Sequence, residues 1–168
     1  QLQDCCLAAL TIHGRTRAQM YTGEADWTLI GAVRSNPRMT IPIIGNGDVV
    51  DGPSAKYFKD TFGVDGLMIG RAAYGNPWIF SQVRHYLETG EMQATPLVSE
   101  RIAIAKLHLR RSVEWKGERC AVFEIRKHWS SYFKGYDNFK PFKMRLMEAV
   151  TEAEIVAILN DIENRYRS

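Results

Sequence analysis

Two glycine-bearing strings stand out for the chemistry they can do: Gly45-Asn46-Gly47-Asp48 and Gly70-Arg71. Each directly follows a short apolar run. Glycine lets the backbone approach a ligand closely and expose its N–H groups, and a guanidinium adds charge and donors; together they suit a phosphate. The first string is also a plain turn in composition, since Asn-Gly and Gly-Asp are turn dipeptides. Arg71 by itself equally fits a surface salt bridge. The ordered pair is more specific than either half. His13, followed by Gly14-Arg15-Thr16, closes a third apolar run. A lone histidine at such a place is commonly a structural hydrogen-bonder. At a shared rim, His13 or Arg15 could instead supply a donor to a flavin ring where negative charge builds on reduction.

Positioning these residues requires parallel strands. Ala8–Ile12, Ile41–Ile44 and Gly66–Ile69 read as short buried strands, and helices are predicted over Trp27–Ser35, capped by Asp26, over Ser54–Thr61, preceded by Asp51, and over Pro77–Leu87. Strands alternating with helices imply a parallel sheet with right-handed crossovers, whose loops after the strands carry the chemistry. In TIM barrels the phosphate cradle comes from the loops after the seventh and eighth strands. Thr89–Pro96 reads as a linker. Beyond it only helical periodicity remains: a helix capped by Ser99 with apolar face Ile102, Ala105, Leu109 and Val113, then helices over Glu118–Phe133 and Phe139–Ala149. A last helix opens with Thr151 and Glu154 in capping-box spacing. The expected fold is therefore α/β plus all-α, with domains at residues 1–90 and 97–168.

Charge follows the same division. Residues 1–96 carry 8 Lys+Arg against 9 Asp+Glu, net −1, whereas residues 101–145 carry 12 against 4, net +8. A basic segment beside a neutral one suits a phosphate-backbone binder and equally a solvated helical surface. Within it, Arg126-Lys127-His128 precedes Tyr132, Lys134 and Gly135. The cations suit phosphates, and the aromatics either stack on bases or fill the bundle core, the core being favoured for Trp129, Tyr132 and Phe133. Three cysteines, Cys5, Cys6 and Cys120, fit neither a disulfide framework nor a metal site, and are expected to be buried free thiols in a reducing cytoplasm. No apolar run approaches the roughly 20 residues that span a bilayer. The chain begins at Gln1 within what reads as a helix, and is expected to be part of a longer protein.

Together, LTIHGRTRAQMYTGEADW (Leu10–Trp27), IPIIGNGDV (Ile41–Val49) and VDGLMIGRAAYGNPWIF (Val64–Phe80), with the RKH, YFKG and Arg145 pattern of the helical part, resemble the tRNA-dihydrouridine synthases, most closely the bacterial B type. The resemblance covers essentially the whole chain. It implies the last three strand-helix units of a TIM barrel holding flavin mononucleotide (FMN), followed by a helical bundle that grips tRNA. The implied reaction reduces uridine in tRNA to 5,6-dihydrouridine with NADPH as electron source, in the cytoplasm and without a membrane. By the same resemblance, Asn46, Gly47 and Asp48 match the flavin-contacting loop, Gly70 and Arg71 the phosphate clamp, and His13 a histidine near the flavin ring. Arg126, Lys127, His128 and Lys134 match the basic tRNA-contacting stretch.

The family's catalytic cysteine stands in an Asn-x-x-Cys-Pro-type motif in the first half of the barrel, and none of the three cysteines here stands in one. No residue of this chain is therefore assigned a catalytic role, and the chain alone is expected to be inactive. Three strands with two open edges are expected to self-associate. Two other readings stay open: a stand-alone RNA-binding module, and another flavin TIM-barrel oxidoreductase acting on a small molecule.

Overall fold

The computed structural model describes residues 2 to 167. They form two compact units: one comprises the residues up to Ala73 together with Pro77–Gln93, the other Tyr74–Asn76 with the residues from Ala94 onward.

The first unit opens with a four-residue 3-10 turn, Leu2–Cys5, in place of the expected helix. Strands β1 (Leu10–His13), β2 (Ile43–Asn46) and β3 (Gly66–Met68) then form a parallel sheet in that order. β1 and β2 start two residues later than their apolar runs. Pro42 cannot donate to a ladder, and it contributes only its carbonyl, which accepts from Leu10 N at 2.9 Å. The strands are less buried than expected; β1 alternates between half-buried and exposed residues. Helix α1 (Thr28–Arg34) follows Asp26, whose carboxylate accepts from Thr28 N at 2.9 Å. Helix α2 (Gly52–Phe62) is capped by Asp51, which accepts from Ser54 N at 2.8 Å, and ends at Gly63 in the left-handed region at φ 64°. Helix α3 (Ile79–Thr89) begins two residues later than predicted and takes in Thr89, which the sequence assigned to the linker. Arg71–Ala73 forms a 3-10 turn.

Trp27, Ile30, Ile43, Val49, Ala55, Val64, Ile79 and Val83 make the core of this unit. Its pillar is Trp27, 2% exposed and stacked on Phe58 at 4.2 Å. Its ring lies so close to β2 that a Cβ on Gly45 would run into it. That glycine is therefore fixed by close approach.

The second unit holds helices α4 (Val98–Lys116), α5 (Glu118–Tyr132), α6 (Lys140–Glu148) and α7 (Glu152–Tyr166). Ser99 is not the cap of α4: the helix starts from Leu97, whose N–H donates to Glu100 Oε2 at 2.7 Å, so that Ser99 lies inside the first turn. α4 and α5 are joined by Gly117 alone, at φ 79°. The capping box of α7 forms as its spacing predicts: Thr151 Oγ1 accepts from Glu154 N at 3.2 Å, and Glu154 Oε2 from Thr151 N at 3.2 Å. Ile102, Ala105 and Leu109 of α4 meet Ile125 and Trp129 of α5, Leu146 of α6, and Ile155, Leu159 and Ile162 of α7 in one core. Trp129, Tyr132 and Phe133 are buried in it, as their favoured reading holds. All three cysteines are exposed, against expectation. Cys5 and Cys6 lie on and just past a short turn with no helical face to bury, and Cys120 falls on the solvent side of α5.

Candidate cofactor cradle and basic helical surface

The parallel register puts His13 opposite Asn46 and Asn46 opposite Met68, so three strand ends form one row at the carboxyl edge of the sheet. Asn46 Nδ2 donates to Met68 O at 2.7 Å and ties the second strand end to the third. His13 is exposed, and its Nδ1 accepts from Arg15 N at 3.0 Å.

The loop after β2 is held from below and from one side. Trp27 Nε1 donates to Gly47 O at 3.0 Å. Gly47 stands at φ 131°, where side chains are disfavoured, and a Cβ there would come 2.6 Å from Ala25 Cβ. Asp48 at φ 55° accepts from Ala25 N at 2.8 Å and from Arg15 Nη1 and Nη2 at 2.9 and 2.7 Å. Arg15 also donates to the carbonyls of Thr22 at 3.2 Å and Gly23 at 2.5 Å. With 3% of its side chain exposed and its donors engaged, Arg15 ties the long loop after β1 to the loop after β2 and is not a free flavin donor. Its two-nitrogen grip on Asp48 is a constraint the residue types alone did not disclose; the signal was present in the spacing of an arginine after one strand and an acid after the next.

Arg71 joins the cluster with Nη2 3.1 Å from Asp48 Oδ1, and its guanidinium lies 4.4 Å from the centre of the Tyr21 ring. Its side chain remains 48% exposed. Burial pulls the Asp48 carboxyl upward, but the Arg15 hydrogen bonds, the Ala25 amide and the charges of Arg15 and Arg71 outweigh it and hold the group below its ordinary value. Two arginines around one carboxylate leave one positive charge over. Next to it, the position of a Cβ on Gly70 meets nothing within 4 Å. An open, singly positive place beside a glycine can take a phosphate monoester.

On the second unit the basic triplet divides into different roles. Arg126 is turned into the structure: its guanidinium lies 4.3 Å from the Phe123 ring centre, and Nη2 donates to Ala149 O at 2.9 Å, the carbonyl that ends α6. A cation there complements the helix dipole. Lys127 is exposed. His128 is half-buried, with its ring 5.0 Å from that of His108, whose Nδ1 lies 3.0 Å from Tyr132 Oη. Burial first, and the neighbouring cations second, hold both imidazoles below the ordinary histidine value, and burial pushes the Tyr132 phenol up to about 12. Lys134 is exposed in the turn after α5. Among the described residues no group of three or more His, Cys, Asp or Glu converges as a metal site, and no helix is long and apolar enough to cross a membrane.

Residues 1–166 match the model of the dihydrouridine synthase (Dus) family. A probable tRNA-dihydrouridine synthase of Rickettsia conorii is 41% identical over 134 residues, which cover 80% of this chain and 40% of that protein. The tRNA-dihydrouridine synthase B of Shewanella oneidensis is 39% identical over 152 residues, covering 90% and 46%. That of Escherichia coli K12 is 40% identical over 151 residues, with the same coverage. The chain thus spans less than half the length of these curated relatives.

Proposed function

The chain belongs to the dihydrouridine synthase family, and from that premise we propose that it supplies the phosphate end of an FMN site and an RNA-binding surface to an enzyme that reduces uridine to 5,6-dihydrouridine in tRNA with NADPH. The observation that carries this reading is the junction of neighbouring strand ends: Asn46 bonded to Met68 O at 2.7 Å, and Arg71 beside Asp48 at 3.1 Å, next to open space at Gly70.

In this reading the three strand-helix units complete a TIM barrel together with earlier strands. Arg71 and the Gly70 backbone hold the phosphate, and Asn46 and Gly47 shape the wall beside it. Asp48 acts mainly by fixing Arg15 and Arg71. His13, at the same rim, would be available to the flavin ring. When bound, FMN supplies hydride transfer. The target uridine must leave the base stack to be reached, and Lys127, His128, Lys134 and neighbouring cations of the second unit would bind the RNA. Arg126 contributes chiefly by ordering α5 against the end of α6. None of Cys5, Cys6 and Cys120 stands in the family's Asn-x-x-Cys-Pro-type motif, so no proton donor is assigned within this stretch.

The protein acts in the cytoplasm. Among the described residues β1 and β3 each pair on one side only, which supports self-association of the isolated chain through sheet edges. A small-molecule flavin oxidoreductase fits less well, because it has no use for a helical segment of net charge +8. A stand-alone RNA-binding module is the second reading, favoured by the net charge of +8 over residues 101–145.

The test is the dihydrouridine content of tRNA from cells lacking the gene. It should fall at one or a few positions and return when the gene is restored. Unchanged dihydrouridine would remove the enzymatic reading. A tRNA gel shift that weakens steeply with salt would leave the RNA-binding module standing.

A further inference from the structure

Trp115, next to last in α4, is 81% exposed, whereas Trp27 and Trp129 are buried at 2% and 0%. An indole in water forfeits the largest contact area any side chain can offer, and such rings are preferred anchors at binding surfaces. The Lys116 ammonium lies 4.7 Å from the centre of the Trp115 ring. One and two turns back on the same face of α4 are Arg111 and His108. The His108 ring meets His128 at 5.0 Å, and His128 meets Tyr74 edge-on at 5.8 Å. Tyr74 is itself 59% exposed.

Rings and cations therefore alternate along one side of the α4–α5 pair. Of the carboxylates close to Trp115 in sequence or space, Glu124 is engaged by Lys116, Glu114 by Arg110 at 3.8 Å, and Glu118 by the Glu152 amide at 2.8 Å. Arg111 and Lys127 are exposed and make no hydrogen bond or ion pair among the described residues. The surface thus offers ring faces together with uncompensated positive charge. That combination does not suit an acidic peptide, which has no use for ring faces. Nor does it suit duplex RNA, whose bases are already stacked on one another. Single-stranded RNA presents both flat bases and phosphates.

We infer that this strip is a stacking platform for unpaired nucleotides of the RNA substrate, with Trp115 as its principal ring and Lys127 and Arg111 on the adjoining phosphates. The inference rests on the RNA-binding reading above and adds to it the form of RNA and the ring that receives it.

The test titrates the full chain with oligouridylate and with tRNA, reading tryptophan fluorescence and gel mobility. Trp115→Phe serves as the stacking-competent variant and as the fluorescence blank, and Trp115→Leu as the variant without a ring. Because the side chain is exposed, both should keep the wild-type circular dichroism. Oligouridylate should quench the wild type and leave Trp115→Phe unquenched. Trp115→Leu should lose about fivefold or more in affinity for both RNAs, while Trp115→Phe loses much less. Wild-type tRNA affinity retained in Trp115→Leu overturns the platform and leaves the RNA-binding reading intact. A wild type that binds neither RNA overturns both. A change in sedimentation of Trp115→Leu without a change in RNA affinity makes the strip a protein contact and also overturns it.

Discussion

Arg15 grips Asp48 through two nitrogens, at 2.9 and 2.7 Å, from the loop after one strand to the loop after the next. The arginine side chain is 3% exposed and the aspartate 28%, so removing the acid strands a nearly buried guanidinium. Asp48→Ala should destabilise the chain by about 2 kcal/mol, measured by urea unfolding. The folded carboxyl lies below its ordinary value of 3.8; its contribution is thus present above 3.8 and lost as pH falls through the lowered value. Wild-type stability that holds steady through that acid range would argue against the pairing.

Replacing Gly45 by alanine should cost about 2–3 kcal/mol through overpacking, because the added methyl meets the Trp27 ring. The displaced indole also holds Gly47 O at 3.0 Å, so flavin affinity should fall with stability. A fully stable Gly45→Ala protein would mean that the pillar yields easily.

Arg71→Ala should weaken FMN binding about tenfold, in line with the loss of a charged hydrogen bond, and leave riboflavin binding nearly unchanged. Fluorescence titration of the full-length protein with the two flavins measures the difference. Equal losses for both would place Arg71 away from the phosphate.

The two imidazoles His108 and His128 are held below the ordinary value of 6.5 by burial and by neighbouring cations. Groups depressed in the folded state favour folding above their unfolded value, and that contribution is lost as pH falls through the folded one. The melting temperature should therefore drop as pH falls below 6.5, and the double variant His108→Gln, His128→Gln should flatten the drop. A variant as pH-sensitive as the wild type would assign the effect elsewhere.

Thr151→Ala removes the side-chain cap of α7, which accepts from Glu154 N at 3.2 Å. The expected loss is about 1 kcal/mol, again by urea unfolding.

What could be read from residue types was what local physics controls. The apolar runs Ile41–Ile44 and Gly66–Ile69 announced strands, though β2 runs on to Asn46 and β3 stops at Met68, and Thr151 with Glu154 announced the start of α7, because periodicity and capping act over a few residues. The boundaries slipped where a neighbour in space decided them. Pro42 falls outside the ladder because only its carbonyl is used, and α4 starts from Leu97 because Glu100 takes its N–H. In the candidate site the row of strand ends was legible. The burial of Arg15 was not, nor was the turning of Arg126 onto Phe123 and Ala149 O, since both depend on pairings across 33 and 23 residues.

Gly75 lies against the backbone of Ser131 and Tyr132 so closely that no side chain fits there. It belongs with Tyr74 and Asn76 to the second unit, although Pro77–Gln93 belongs to the first. The covalent thread therefore passes between the units more than once. Clipping it after Gln93 would release a C-terminal piece with a groove on α5 where a tripeptide should be, so the helical bundle is not detachable by one cut.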